Sequence, residues 1–215
     1  MISYLPAYLN WVFIALAIYT ITMFHFSNGK NSKLTLVIIT WSIFQCLLAY
    51  FGFFMDTEAL PPRFTFVLLP AGLAIVYALL PKNRARIISE RNLRISTFLH
   101  LVRVPVEVCL FLLFTHQLVP ELMTFEGRNF DIIAGITAPI IGFLFLKSWI
   151  GTKGMLAWNV VGLGLILFIL INGILSSELP FQQFAFDQPN RAMKYFPFIL
   201  LPSTIVPIVV FTHIT

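Results

Sequence analysis

Three ionisable side chains interrupt an apolar stretch of the chain, HLVRVPVEVCLFLLF at residues 100–114. On a helix with about 100° per residue, His100, Arg103 and Glu107 fall within an arc of about 60° and extend over roughly 10 Å. A charge at the centre of a bilayer costs about 2.5–3.5 kcal/mol even on a lenient scale, so this face is predicted to point into the protein. An arginine fork binds carboxylate or phosphate, and a buried glutamate binds a proton or a cation.

Two interpretations of these charges stay open. In the first, they form a site for a small polar or anionic solute, and its predicted ligand-binding residues are Arg103, Glu107, His100, Asn159 and Gln45. In the second, they belong to a buried network that fixes how the helices pack, with Gln45, Thr40, Asn159 and Asn172 as partners. The spacing of four residues also allows the two charged side chains to meet.

The composition indicates which elements position these side chains. Of the 215 residues, 59% are hydrophobic and 11% are charged, and the mean hydropathy is +0.89. Soluble domains contain about 25% charged residues, so the chain is predicted to be an integral membrane protein with a single transmembrane domain over residues 1–215.

Apolar stretches near the ~20 residues that cross a bilayer recur along the chain. They predict an all-α protein with seven transmembrane helices at about 5–25, 34–54, 64–80, 95–115, 131–149, 155–174 and 195–213. Loops on one side hold nine Lys and Arg residues, and loops on the other side hold four. Because basic loops stay in the cytoplasm, we predict an outside N-terminus, a cytoplasmic C-terminus and a plasma-membrane location. The basic segment PKNRARIISERNLR is expected to contact lipid headgroups and not nucleic acid.

Prolines inside the spans predict kinked helices around a central cavity, because each proline removes a backbone hydrogen bond. The prolines concerned are Pro70, Pro105, Pro139, Pro202 and Pro207. The segment FTFVLLPAG at 64–72 also aligns with FPFILLPST at 196–204. The match suggests two parallel units of three helices joined by a linker helix, a 3+1+3 repeat. Phe and Leu are abundant in the chain, so chance gives an alternative explanation.

Two loops on the predicted outer side, 120–131 and 178–196, combine Phe with polar residues and are expected to fold back over the helices. They are interpreted either as a lid over a pocket that opens outwards or as a structural cap that seals the helix ends. The predicted lid residues are Glu126, Arg128, Asn129, Asp131, Asp187 and Asn190.

No cofactor is predicted from the sequence. A retinal protein needs a lysine in the middle of its seventh helix, and the span YFPFILLPSTIVPIVVFTHIT has none. Three imidazoles can bind zinc, and His25, His100 and His213 are weak candidates because their spacing matches no zinc motif. The sequence contains no GxSxG, Walker or GxGxxG motif, so no catalytic residue is predicted. A protein that is not an enzyme is favoured, and the enzyme alternative stays open.

Three hypotheses of function follow. The leading hypothesis is a multi-pass membrane protein that binds or transports a small polar or anionic solute around Arg103 and Glu107 in mid-membrane. The first alternative is an intramembrane enzyme that acts on a lipid-like substrate. The second is a subunit of a larger membrane complex. The expected partners are the lipid bilayer, a small molecule, and either another membrane protein or further copies of the chain, but not nucleic acid.

Overall fold

The computed structural model describes residue 2 and residues 4–215. Within these residues the protein is all-helical and has no β-strand, which confirms the predicted all-α class. Its nine α-helices in the described part of the chain are α1 (Ala7–Ser27), α2 (Ser32–Tyr50), α3 (Thr65–Leu79), α4 (Pro81–Ser89), α5 (Leu93–Leu99), α6 (Arg103–Thr115), α7 (Asp131–Leu146), α8 (Thr152–Leu175) and α9 (Val206–Ile214). A 3-10 turn at His100–Val102 joins α5 to α6, and a π-helical turn at Leu201–Ile205 precedes α9.

Four helical segments of the described chain are long and apolar enough to cross a membrane. They are α1, α2, the segment Leu93–Thr115 formed by α5 and α6, and α8. Helices α3 and α4 give a fifth segment, in which the two helices are bent by 74°. Two shorter apolar segments, α7 and Leu201–Ile214, occupy the positions of the fifth and seventh predicted spans. The structure therefore supports a membrane protein, whereas seven spans and their orientation stay predictions.

The breaks in the helices lie beside prolines. Pro105 follows the 3-10 turn and has no N–H to donate to the carbonyl group four residues earlier, so regular α-helical bonding is interrupted there. Pro202 lies within the π-helical turn, and Pro207 lies in the first turn of α9. The other two prolines lie inside uninterrupted helices: Pro70 in α3 and Pro139 in α7.

The two halves of the predicted repeat have different structures. Phe66 lies in α3 and is 54% exposed, whereas Phe198, its counterpart, is fully buried in a turn that precedes the last helix. Pro70 is part of an α-helix, and its counterpart Pro202 is part of a π-helical turn. These differences give no support to the 3+1+3 arrangement.

The segment Leu93–Thr115 is the central helix of the fold. Within its apolar window 56% of the residues are buried, compared with 17% for α2. It packs against α1, α7 and α9. Helix α3 lies at the periphery, since Val67 is its only fully buried residue. The predicted polar face on the central helix is therefore surrounded by protein.

Candidate functional site

Arg103 is the centre of a buried hydrogen-bond network. Its Nε donates to Oδ2 of Asp131 over 2.6 Å, and its Nη2 donates to Oδ1 of the same carboxylate. Nη2 also donates to the carbonyl oxygen of Gly162 over 3.1 Å, and Nη1 donates to Nε2 of His213 over 2.8 Å. Arg103 is 2% exposed and Asp131 is 3% exposed. The network thus ties α6 to α7, α8 and α9 at one buried point.

Asp131 reaches Arg103 because α7 begins inside the protein. Asp131 is the first residue of α7, and its backbone N–H donates to Oδ1 of Asn129 over 3.1 Å. One turn later, Gly135 faces α6, where an added Cβ would lie 2.9 Å from Cγ2 of Val104 and 3.1 Å from Cβ of Arg103. The absence of a side chain at Gly135 allows the two helices to approach closely. The start of a helix also stabilises a carboxylate.

His213 connects Arg103 to Asn159. A guanidinium group has no acceptor, so Nε2 of His213 must accept the hydrogen bond from Arg103. Nδ1 then carries the ring proton and donates to Oδ1 of Asn159 over 2.9 Å. The amide nitrogen of Asn159 donates to the carbonyl oxygen of Met155 over 3.0 Å, which is consistent with this assignment. The hydrogen bonds therefore require a neutral imidazole at His213.

His100 stacks on His213, with the ring centroids 3.9 Å apart and an angle of 28° between the planes. Its Nε2 lies 3.3 Å from Oγ1 of Thr212, whose hydroxyl group donates to the carbonyl oxygen of Val209 over 2.8 Å. Nε2 of His100 is therefore the donor. A second proton on Nδ1 would be a buried charge without an acceptor among the described residues, so this ring is neutral too. The ring of Trp158 lies nearly perpendicular to the imidazole of His100, with the ring centroids 5.3 Å apart. Nδ1 of His100 is buried and has no hydrogen-bond partner in the described part of the chain.

Glu107 lies one helical turn beyond Arg103 and is 2% exposed. Its hydrogen-bond partner among the described residues is Asn129, whose Nδ2 lies 2.7 Å from each carboxylate oxygen. The same amide nitrogen donates to the carbonyl oxygen of Met123 over 3.0 Å. The two charged residues of the central helix therefore have separate partners, although their spacing allows them to meet.

Asn129 reaches Glu107 because the loop before α7 turns sharply. An added Cβ at Gly127 would lie 2.7 Å from Cα of Leu122, so only glycine fits where the backbone of the loop folds back on itself. The N–H groups of Gly127 and Asn129 both donate to the carbonyl oxygen of Thr124, over 3.0 and 3.1 Å. This turn carries the amide of Asn129 into the interior.

A cavity of about 70 Å³ lies beside Glu107. It has room for a few water molecules or for one small polar group. Most of its wall is apolar, and its polar lining residues are Glu107, Asn129, Asp131, Ser177 and Asn190. Asn190 donates from Nδ2 to the carbonyl oxygen of Gly173 over 3.2 Å, while its Oδ1 is buried and has no partner among the described residues. The cavity therefore offers hydrogen-bond acceptors to a ligand.

The charges around the cavity do not balance. Arg103 and Asp131 form an ion pair and neutralise each other. Glu107 adds a second acid, and both histidines are neutral, which leaves Arg103 as the one cation among the described residues of this group. An unpaired charge in a buried site is costly, so Glu107 requires either a proton or a cationic partner.

The segment 178–196 contributes Asn190 and Met193 to the wall of the cavity, and ionic contacts between its own residues hold it folded on itself. The carboxylate of Glu178 accepts from Nε of Arg191 over 2.6 Å and from Nζ of Lys194 over 2.5 Å. Partial burial raises the pKa of Glu178, but the hydrogen bonds and charges of Lys194 and Arg191 lower it more, so the pKa lies below its usual value. Nε2 of Gln188 donates to the carbonyl oxygens of Phe114 and Val119 over 3.1 and 2.7 Å. These contacts agree with a lid and with a structural cap alike.

Three of the six predicted lid residues are buried. Asn129 and Asp131 belong to the buried network, because Glu107 and Arg103 satisfy their polar groups there. Asn190 lines the cavity from the second loop. The remaining three lid residues are exposed: Glu126, Arg128 and Asp187.

The other predicted ligand residues divide in the same way. His100 and Asn159 join the network through His213. Gln45 is fully buried, but its Nε2 donates to the carbonyl oxygen of Phe66 over 3.3 Å, so it connects α2 to α3 away from Arg103. Two suggested network partners also lie elsewhere: Asn172, which bonds to a carbonyl group of its own helix, and Thr40, which is exposed.

The three histidines suggested for zinc do not converge. His100 and His213 stack on each other, whereas Nδ1 of His25 lies 2.8 Å from Oγ1 of Thr35 near the end of α1. In the described part of the chain, no group of three or more His, Cys, Asp or Glu residues is arranged to hold a metal ion.

Comparison with known families places this site in a recognised domain. Residues 59–215 match the family described as Domain of unknown function (DUF8737). The chain belongs to this family. The matched region includes the whole Arg103 network and the cavity, and it begins after α2. No curated protein and no solved structure matches the chain.

Proposed function

We propose that this DUF8737 protein binds a small, largely apolar molecule whose one cationic or hydrogen-bond-donating group lies in the cavity beside Glu107. The proposal rests on Glu107, a buried acid without a counter-charge that lines a mostly apolar cavity. Asn190 lines the same cavity, and its Oδ1 accepts no hydrogen bond from the described residues. A positively charged group on the ligand supplies the missing charge, and its N–H groups have acceptors to bind.

An anionic ligand is less well supported than the sequence suggested. Arg103 makes four hydrogen bonds to protein groups, which leaves one of its five N–H bonds. Two of these bonds go to Asp131 in a side-on fork, which is the geometry that an anion needs. Arg103 therefore has a structural role in the proposal: it holds Asp131 and His213, and so fixes the wall of the site.

The proposal includes the predicted membrane topology. The four long segments, the bent α3–α4 pair, α7 and Leu201–Ile214 give seven spans when each crosses the bilayer. The excess of Lys and Arg in alternate loops supports an outside N-terminus, a cytoplasmic C-terminus and a plasma-membrane location. The cavity then lies within the membrane, beneath the segment 178–196. The intramembrane enzyme, the complex subunit and transport of the ligand stay predictions.

The test compares octylamine, octanol and octanoate, which share a chain length and differ in the polar group. Binding is measured by native mass spectrometry and by thermal stabilisation of the protein in nanodiscs, since a ligand that binds the folded state raises the melting temperature. The wild type is compared with Glu107→Gln, which keeps the shape of the side chain and removes its charge. Glu126→Gln is the matched control, because it makes the same change at an exposed position of the loop before α7.

We expect octylamine to bind more tightly than octanol, and octanoate to bind least. In Glu107→Gln the preference for the amine is lost, while Glu126→Gln keeps the wild-type order. Equal binding of octanoate and octylamine to the wild type contradicts the proposal. An unchanged amine preference in Glu107→Gln contradicts it as well.

A further inference from the structure

The cavity beside Glu107 adjoins a second space beside α3. This space is a groove of about 500 Å³ between α3 and residues 174–181. Phe64 and Ile174 line both the groove and the cavity. The polar site and the groove are therefore neighbours separated by these two side chains.

The lining of the groove is almost wholly apolar. One wall is a face of α3 that includes Leu69, Leu73 and Val76, each of which is more than half exposed. The opposite wall includes Leu179 and Phe181. Thr65 is the one lining residue with a polar side chain among those described. A surface of this composition in a membrane protein faces hydrocarbon and not water.

The groove is open at Gly72. Gly72 lines it, and an added Cβ at this position meets no atom within 4 Å. The lining residues of α3 run from Thr65 to Val76, a distance of roughly 17 Å along the helix axis. This length accommodates an extended hydrocarbon chain of the size found in single-chain amphiphiles.

The other side of the cavity is more firmly closed. The segment 178–196 is anchored there by Gln188, which donates to the carbonyl oxygens of Phe114 and Val119, and the contacts of Glu178 with Arg191 and Lys194 hold the segment folded on itself. The N–H groups of Arg191 and Ala192 both donate to the carbonyl oxygen of Leu118 over 2.9 Å. On the side of α3, the apolar side chains of Phe64 and Ile174 lie between the cavity and the groove. Because the side chain of Phe64 makes no hydrogen bond, it can change its rotamer without losing one.

We propose that the ligand is a long-chain primary amine dissolved in the bilayer, which enters sideways between α3 and residues 174–181. Its ammonium group occupies the cavity beside Glu107, and its single hydrocarbon chain lies in the groove, past Phe64. This inference rests on the proposed function, because it takes the amine site from it and adds the chain and the route of entry. The inference rests on the position of the apolar groove directly beside the acidic cavity, with Phe64 and Ile174 between them, since a ligand that fills both must be amphiphilic.

The test uses two glycines that both face open space in membrane helices. Gly72→Phe fills the groove, and Gly164→Phe on α8 makes the same change outside it; an added Cβ meets no atom within 4 Å at either position. The probe is dodecylamine with a photoreactive diazirine near the end of its chain, added to each variant and to Glu107→Gln in phosphatidylcholine nanodiscs. Affinity is measured by native mass spectrometry, and the labelled peptides are identified after illumination. The melting temperature of each variant without ligand shows that it is folded.

In the wild type and in Gly164→Phe, we expect labelling concentrated on residues 64–76 and 174–181. In Gly72→Phe, this labelling is lost and dodecylamine binds about tenfold more weakly or worse, which corresponds to 1.4 kcal/mol or more. Equal affinity and labelling in Gly72→Phe and Gly164→Phe overturn the groove, and so does labelling spread over all lipid-facing helices, which is the pattern of bulk lipid.

The two proposals fail in different ways. If Glu107→Gln lowers amine binding and Gly72→Phe does not, the cavity binds the amine but the chain lies elsewhere, and the groove is refuted alone. If neither variant lowers dodecylamine binding, both the proposed function and the groove are refuted.

Discussion

Gly162→Ala is the smallest change that tests whether the Arg103 network exists as described. An added Cβ at Gly162 would overlap the ring of His213, 2.7 Å from Nε2, the atom that accepts the hydrogen bond from Arg103. The neighbour in contact is a ring packed between Trp158 and His100, so it has little room to move. Gly164→Ala, half a turn further along α8, adds the same methyl group to open space.

The expected magnitude follows from the contacts that the methyl group displaces. Replacing glycine by alanine in a helix stabilises it by about 0.5–1 kcal/mol, and this gain applies to both variants. At Gly162 the change removes a hydrogen bond to a charged group, worth about 1.5–3 kcal/mol, and disturbs a ring stack worth about 0.5–1.5 kcal/mol. Gly162→Ala is therefore expected to destabilise the fold by about 1–4 kcal/mol. Gly164→Ala is expected to be neutral or stabilising.

The assay is thermal unfolding of both variants in one detergent, followed by tryptophan fluorescence. For a chain of this size, 1 kcal/mol shifts the melting temperature by about 2–4 °C, so the two variants are expected to differ by roughly 5–15 °C. A double-mutant cycle with His213→Ala assigns the effect, because Gly162→Ala costs little once the ring is absent. Equal melting temperatures for Gly162→Ala and Gly164→Ala refute the packing of His213 between α8 and Arg103.

Three further outcomes are expected. Asp131→Asn leaves the buried guanidinium of Arg103 without a counter-charge and is expected to lower the free energy of unfolding by about 3–5 kcal/mol. Replacing both residues by apolar ones of similar size is expected to restore part of this loss, and thermal unfolding of the single and double variants measures both effects. Glu178→Gln is expected to cost about 0.5–1 kcal/mol at pH 7. Because the pKa of Glu178 is lowered in the folded state, its contribution is present above the unfolded value of 4.5 and is lost as the pH falls further, so wild type and variant converge in melting temperature below that pH. Gly127→Ala places a Cβ 2.7 Å from backbone atoms of the preceding turn, and the displacement of Asn129 is expected to lower both the melting temperature and octylamine binding.

The sequence was sufficient to predict the polar face of the central helix. His100, Arg103 and Glu107 are all at most 2% exposed, as the cost of a charge in the bilayer requires. The sequence did not identify the partners of these residues, because helical spacing describes one helix and says nothing of the depth at which its neighbours end. Asp131 was therefore expected at the surface and lies beside Arg103. The signal was present, since a buried arginine needs an acid and Asp131 begins the next apolar stretch.

The same limit applies to Gln45 and His213, whose partners the sequence did not identify. Gln45 lies inside an apolar stretch, as the site residues do, but α2 carries it to a contact with α3. His213 was predicted at the end of the last helix, and it lies in the last turn of α9. This end of α9 packs against the middle of the central helix, at Arg103. Amide and imidazole groups in apolar stretches thus predict burial, while their partners depend on helix lengths and packing.

Helix length is what brings the polar groups together in this fold. Helix α7 is about 24 Å long and Leu201–Ile214 is about 21 Å long, both shorter than a hydrocarbon core of about 30 Å. A helix that ends inside the protein leaves backbone and terminal polar groups that water cannot satisfy. Asp131 at one such end and His213 at the other are satisfied by the same guanidinium, that of Arg103. Arg103 therefore satisfies the polar side chains at the ends of two short helices at once. The space beyond these ends is occupied by the loop that carries Asn129 and by the cavity beside Glu107. On this argument the arginine builds the site and the glutamate is the group left to bind.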